Sequence, residues 1–213
     1  MIVPVIFVII LAQLSAASKV LFNFTDSSPT NEFYEVSDTA RSVGMSKGVL
    51  TLTESETVRR AVFFALLNPQ DDGACFAGVE TQFQPVQSWD SFKLLTMQLR
   101  GQGAYDTFKV ILHDKANWDN SSLAFEHYFQ LNVDNSRSKD STTAAKVLNL
   151  DDDFQTVSLP LSEFVCSYRG QTCDANLDTA QIQAFGWQAA GGRYETFSQK
   201  GVSSLEINWV TLE

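Results

Sequence analysis

The chain has 213 residues, 44% hydrophobic and 19% charged, with 15 Lys and Arg against 25 Asp and Glu and a formal net charge of −10. That length carries the core of one domain. The acidic balance argues against nucleic acid and anionic membrane as partners, because both recruit basic patches. From Ile2 to Leu14 the sequence is apolar and uncharged, and small residues follow at Ser15, Ala16 and Ala17. A hydrophobic run ending in a small-residue cleavage site is the pattern of a secretory signal peptide, expected over residues 1–17 with the cut before Ser18. The run is shorter than the roughly 18 to 20 apolar residues of a spanning helix, and without Arg it does not resemble a mitochondrial presequence. Residues 18–213 are expected to form a single secreted domain with no membrane anchor.

Along the mature chain, strands are expected at 49–52, 61–66, 76–83, 95–100, 108–112, 127–133, 154–159, 182–188 and 205–210. Period-2 alternation is clearest at 95–100, 108–112 and 205–210. Turn-forming clusters separate them at 68–73, 101–103 and 191–192. Many short strands with turn chemistry between them define an all-β chain, a sandwich of two antiparallel sheets. Helix is confined to a turn or two at 161–164 and 178–183.

Two acceptor sequons, at Asn23 and Asn120, lie among polar residues where a glycan is solvated. Cys166 and Cys173 bracket a polar loop, and a local disulfide there contributes on the order of 2 to 3 kcal/mol. Cys75 is left over among apolar neighbours and reads as a buried, inert thiol. His113 and His127 lack a second ligand at metal spacing, so neither a metal nor any other cofactor is expected. His127 shares a strand face with Phe129 and reads as core or sheet-edge packing. No nucleophile elbow is present. Glu80, Glu126, Asp106 and Asp114 remain as carboxylates that a fold could bring to glycosidase separation. The acidic loop at 149–153 lacks EF-hand spacing and reads as solvated.

Several stretches resemble, in order and spacing, the complex I intermediate-associated protein 30 domain: residues 34–48, 62–79, 94–103, 107–112 and 157–164, Phe185-Gly186 and the closing Leu205-Glu206-Ile207. The hairpin through Leu99-Arg100-Gly101-Gln102-Gly103 is the most telling of them. The resemblance implies a galactose-binding-like jelly roll. Its best-known members are mitochondrial assembly factors for respiratory complex I that bind partly built protein rather than perform chemistry.

In jelly rolls of this type, loops joining the sheets form ligand patches in which exposed aromatic rings stack on sugars and polar groups fix hydroxyls. The candidate ligand-binding residues are Trp89, Arg100, Trp118, Tyr194, Asp38 and Arg41. Trp89 and Trp118 have core packing as their alternative, Arg100 a pairing with Asp106 across its hairpin, and Asp38 and Arg41 a structural tie to the sheet. Trp187 and Trp209 read as core. Together these features point to a secreted, non-enzymatic binding module for a glycan or an extracellular protein. The alternative is the mitochondrial assembly role of the family.

Overall fold

The computed structural model of the chain describes residues 18–40, 42–71, 74–118, 123–131 and 153–213. The expected signal peptide lies outside the described residues, as do Arg41, Asn120 and most of the acidic loop at 149–153. In chain order the strands are β1 (Lys19–Asn23), β2 (Tyr34–Ser37), β3 (Lys47–Glu54), β4 (Arg59–Leu67), β5 (Phe76–Gln87), β6 (Leu94–Gly103), β7 (Thr107–Asp114), β8 (Leu123–Gln130), β9 (Gln155–Pro160), β10 (Val165–Tyr168), β11 (Gln171–Thr172), β12 (Ile182–Ala190) and β13 (Gly201–Leu212). They form two antiparallel sheets. One has the order β3-β4-β13-β6-β9, with β1 also paired to β13, and the other runs β11-β10-β8-β7-β12-β5-β2. The fold is therefore the expected all-β sandwich. The two helical stretches shrink to 3-10 turns at Leu161–Glu163 and Thr179–Gln181, the second capped by the Asp178 carboxylate accepting from the Ala180 N–H.

Alternation fixes which side chains enter the space between the sheets. On β12, Phe185, Trp187 and Ala189 point inward and are fully buried. They meet Leu99, Leu205 and Ile207 of the opposing sheet in one core. Phe185 and Trp187 lie edge to face with centroids 4.7 Å apart, and Phe22 and Phe33 close on them at 5.5 and 5.6 Å. Trp187 Nε1 donates to Met97 Sδ at 3.4 Å, a polar handle satisfied across the sandwich. The strands that the sequence did not reveal lie at the margins. β1 directly follows the apolar leader, and β2, β10 and β11 have four residues or fewer, too short for alternation to register.

At one open side of the sandwich, Glu35 of β2 ties the sheets together. Its Oε1 accepts from the Gly48 N–H of β3 at 3.3 Å and from Ser37 Oγ at 2.8 Å, and its Oε2 accepts from Lys47 Nζ at 3.2 Å. Burial opposes ionisation of Glu35, but these three donors outweigh it and hold the carboxyl below its ordinary value of 4.5. A depressed folded-state value stabilises the fold fully above the unfolded value and is lost as pH falls through the folded one. The stabilities of wild type and Glu35→Gln should differ at about pH 6 and converge towards about pH 3, as read from urea midpoints. Trp187→Ala should cost about 3 to 5 kcal/mol of unfolding free energy in urea titration, because the ring has no room to be replaced by collapse.

Candidate functional site

Inward bulk on the central strands leaves the outward face free for chemistry. From the seven-stranded sheet, Lys109, Ile111 and His113 of β7, Glu80 of β5, Gln188 of β12 and Glu126 of β8 face a groove of about 1050 Å³. Register places Gly186 of β12 between Glu80 and Ile111. A Cβ at Gly186 would run into the Val79 carbonyl and the Glu80 side chain, so a glycine there keeps the floor low.

Loops raise the walls. Trp118 follows β7 and stands edge-on to His113 with centroids 5.5 Å apart. Tyr194, in the β12–β13 loop, is 46% exposed, and Tyr34 of β2 is 41% exposed on the opposite margin. The third wall is the β10–β11 hairpin, whose turn residues Arg169 and Gly170 both have positive φ, 52° and 76°. That is the two-residue turn that suits a hairpin, and Gly170 supplies it without steric cost. Gly170 faces Tyr194 so closely that a Cβ would sit 3.3 Å from the tyrosine Cβ. The Cys166–Cys173 disulfide, expected from the sequence, closes the strands behind this turn.

The groove's charges are paired. Lys109 Nζ donates to Glu126 Oε2 at 2.8 Å and to the Tyr128 hydroxyl at 3.2 Å, and lies 3.9 Å from Glu195 Oε1. The Tyr128 hydroxyl donates in turn to Glu195 Oε2 at 2.7 Å. Burial, reinforced by the neighbouring Glu126 and Glu195, raises the Tyr128 hydroxyl above its ordinary value and keeps it a donor. Across the floor, His113 Nδ1 contacts the Leu123 carbonyl at 2.9 Å and therefore carries a proton. Its Nε2 faces Glu80 Oε2 at 3.6 Å. Burial pushes the Tyr34 hydroxyl up too, with Glu80 adding to the shift. Among the described residues, no group of three or more His, Cys, Asp and Glu is placed to hold a metal ion.

Of the residues singled out from the sequence, Trp118 and Tyr194 are brought together in this groove. Trp89 is not and is corrected to core: it is fully buried, edge-on to Phe83 at 6.0 Å. Its polar context misled because Ser88 and Asp90 on either side are exposed while the indole turns inward. Arg100 is corrected as well. It lies on the other sheet, and because register sets it opposite Glu206, its Nη2 reaches both Glu206 oxygens at 2.6 Å. Arg60 Nη1 reaches the same carboxylate at 3.0 Å, and the Phe154 ring lies under both guanidinium groups. Asp106 instead accepts from Gln130 and Thr107. Asp38 is buried and structural, its two oxygens accepting from the Ser46 N–H and hydroxyl at 2.8 Å each. Asn23 ends β1, its Oδ1 accepting from the Thr25 hydroxyl at 2.7 Å. Cys75 is buried at the groove's end near Ser46, and burial pushes its thiol up. His127 packs edge-on to Phe164 at 5.3 Å.

Lys109, Tyr34, Tyr128, Arg169, Gln188 and Glu195 were missed. The signal for Lys109 was present: a lone charge inside the apolar run Phe108-Lys109-Val110-Ile111-Leu112 marks the outward face of a central strand.

With the sandwich and groove in place, comparison with known proteins settles the lineage. The sequence matches the complex I intermediate-associated protein 30 family over residues 22–207. The chain belongs to that family. No curated protein sequence matches it. Among solved structures, the family 11 carbohydrate-binding module from Clostridium thermocellum, in complex with a β-1,3-1,4-mixed-linked tetrasaccharide, is similar with a TM-score of 0.58 and 12% identity. That match covers 92% of this chain and 94% of that one. The family 30 carbohydrate-binding module of a C. thermocellum cellulosomal cellulase is similar with a TM-score of 0.53 and 9% identity, covering 92% and 96%. An agarase matches with a TM-score of 0.52 and 10% identity, over 92% of this chain but 24% of its own. At these identities the likeness is one of fold.

Glu206→Gln should destabilise the protein by about 3 to 5 kcal/mol, since it strips the shared counter-charge from two buried guanidinium groups. Chemical denaturation checks this.

Proposed function

We propose that this member of the family is a secreted, non-enzymatic module that binds a glycan in the groove of the seven-stranded sheet. The observation that carries the reading is the groove itself: a low floor of paired polar groups beneath the rings of Trp118, Tyr194 and Tyr34. Rings at the rim stack on sugar faces while floor carboxylates and amides accept and donate to hydroxyls, the division of labour that small-ligand sites use. The fold shared with carbohydrate-binding modules supports it. Glu80 and Glu126 sit on strands three spacings apart, about 14 Å between backbones. Asp114 is spent capping the Asn117 N–H, and Asp106 lies at the β6–β7 turn. Glu126 and Glu195 do lie within hydrolytic reach of each other, but both are spent on the Lys109 ammonium and Glu195 also accepts from the Tyr128 hydroxyl, which favours binding over glycoside hydrolysis.

Export is supported by the apolar leader, the sequons and the disulfide, a bond that persists in oxidising compartments. Family membership favours a second reading, assembly of respiratory complex I through protein contacts. Mass spectrometry of the native protein separates the two. A first residue of Ser18 with glycan at Asn23 or Asn120 supports export, and an unglycosylated matrix protein supports assembly.

Trp118→Ala and Tyr194→Ala should each weaken oligosaccharide binding about three- to tenfold while leaving the melting temperature unchanged, as measured by calorimetric titration and scanning. Unaltered affinity in both variants would remove the groove from the binding surface.

A further inference from the structure

We propose that the groove selects uncharged glycans and rejects anionic ones such as uronates and sulfated sugars, an inference that rests on the glycan reading above. The cation set deep in its floor, Lys109, has only 6% of its side chain exposed and is already met by Glu126 and Glu195, whose side chains are 16% exposed. A buried ammonium is held in place by such partners. An anionic sugar would have to displace carboxylates fixed by the fold and would enter beside like charge, which costs specificity-determining energy at close range.

The balance of groove charges points the same way, with Glu80, Glu126 and Glu195 set against Lys109 and Arg169. Glu80 faces His113 across the floor. The rim cations Arg169 and Arg193 lie over the rings of Tyr168 and Tyr194 at 5.3 and 5.5 Å, on the walls rather than the floor. The chain as a whole carries −10, so its long-range field also repels anions. Neutral sugar hydroxyls meet the opposite situation. Carboxylate oxygens that are themselves anchored accept short, strong hydrogen bonds from them.

Calorimetric titration with a neutral β-1,3-1,4-linked glucan tetrasaccharide and an oligogalacturonate of equal length tests this. The neutral sugar should bind at least about tenfold tighter, and its affinity should stay within about twofold between 50 and 300 mM NaCl, since no ion pair forms with the ligand. In Glu126→Gln/Glu195→Gln, Lys109 is unmasked, and oligogalacturonate affinity should rise at least about tenfold and become salt-sensitive. If the double variant does not fold, Glu195→Gln alone should raise it about threefold, a smaller gain because that carboxylate stands farther from Nζ. Oligogalacturonate binding as well as or better than the neutral sugar to the wild type overturns the selectivity while leaving the glycan reading intact. So does a folded variant with no gain. Silence towards both sugars, and towards a wider glycan array, overturns the glycan reading and this inference with it.

Discussion

Everything in this molecule depends on the alternation of bulk along β12. Phe185 and Trp187 drive into the space between the sheets, and Gly186 between them has nothing to project. The inward rings supply dispersion and desolvation where the two sheets meet. The missing side chain on the other face lowers the floor at the middle of the seven-stranded sheet. A single dyad repeat thus makes core and groove together, and neither can be altered without touching the backbone that carries the other. Lys109 on the neighbouring strand uses the same logic: Phe108 and Val110 are anchored inside, so the ammonium has one direction left.

How much of this the sequence disclosed follows from the same periodicity. Strands with strong alternation, such as β6 and β13, are readable because inward apolar positions alternate with polar ones. β8 begins at Leu123, ahead of its expected start at 127, because its outward positions mix Ala124, Glu126 and Tyr128 and so blur the polar face. Edge strands escape because two to four residues cannot establish a period. The site was only half legible for a different reason. Trp118 and Tyr194 announce themselves as rings in polar loops, but so does Trp89, and only the three-dimensional path of the chain after β5 separates a rim from a plug. Arg100 looked like a ligand hook until register, a non-local quantity, placed Glu206 opposite it.

The two sheets have divided their polar resources differently. On the six-stranded sheet, Arg60, Arg100 and Gln102 converge on the Glu206 carboxylate, with the Phe154 ring under the two guanidinium groups. On the seven-stranded sheet, polar groups are equally paired yet arrayed along an open trough with rings at its margin. Family membership fixes the ancestry of the sandwich, and the wall loops are where relatives on one scaffold diverge.

The hairpin of β10 and β11 gives this division a last consequence. It is the outermost pair of its sheet, and its turn is one wall of the trough, while the covalent link between Cys166 and Cys173 lies behind that turn. Trp187, Phe185 and their neighbours hold the middle of the sandwich shut by packing rather than by a covalent bond. The middle of the sandwich thus rests on apolar contacts that no compartment can switch off, while the groove's edge rests on a bond that depends on the chemistry of its surroundings.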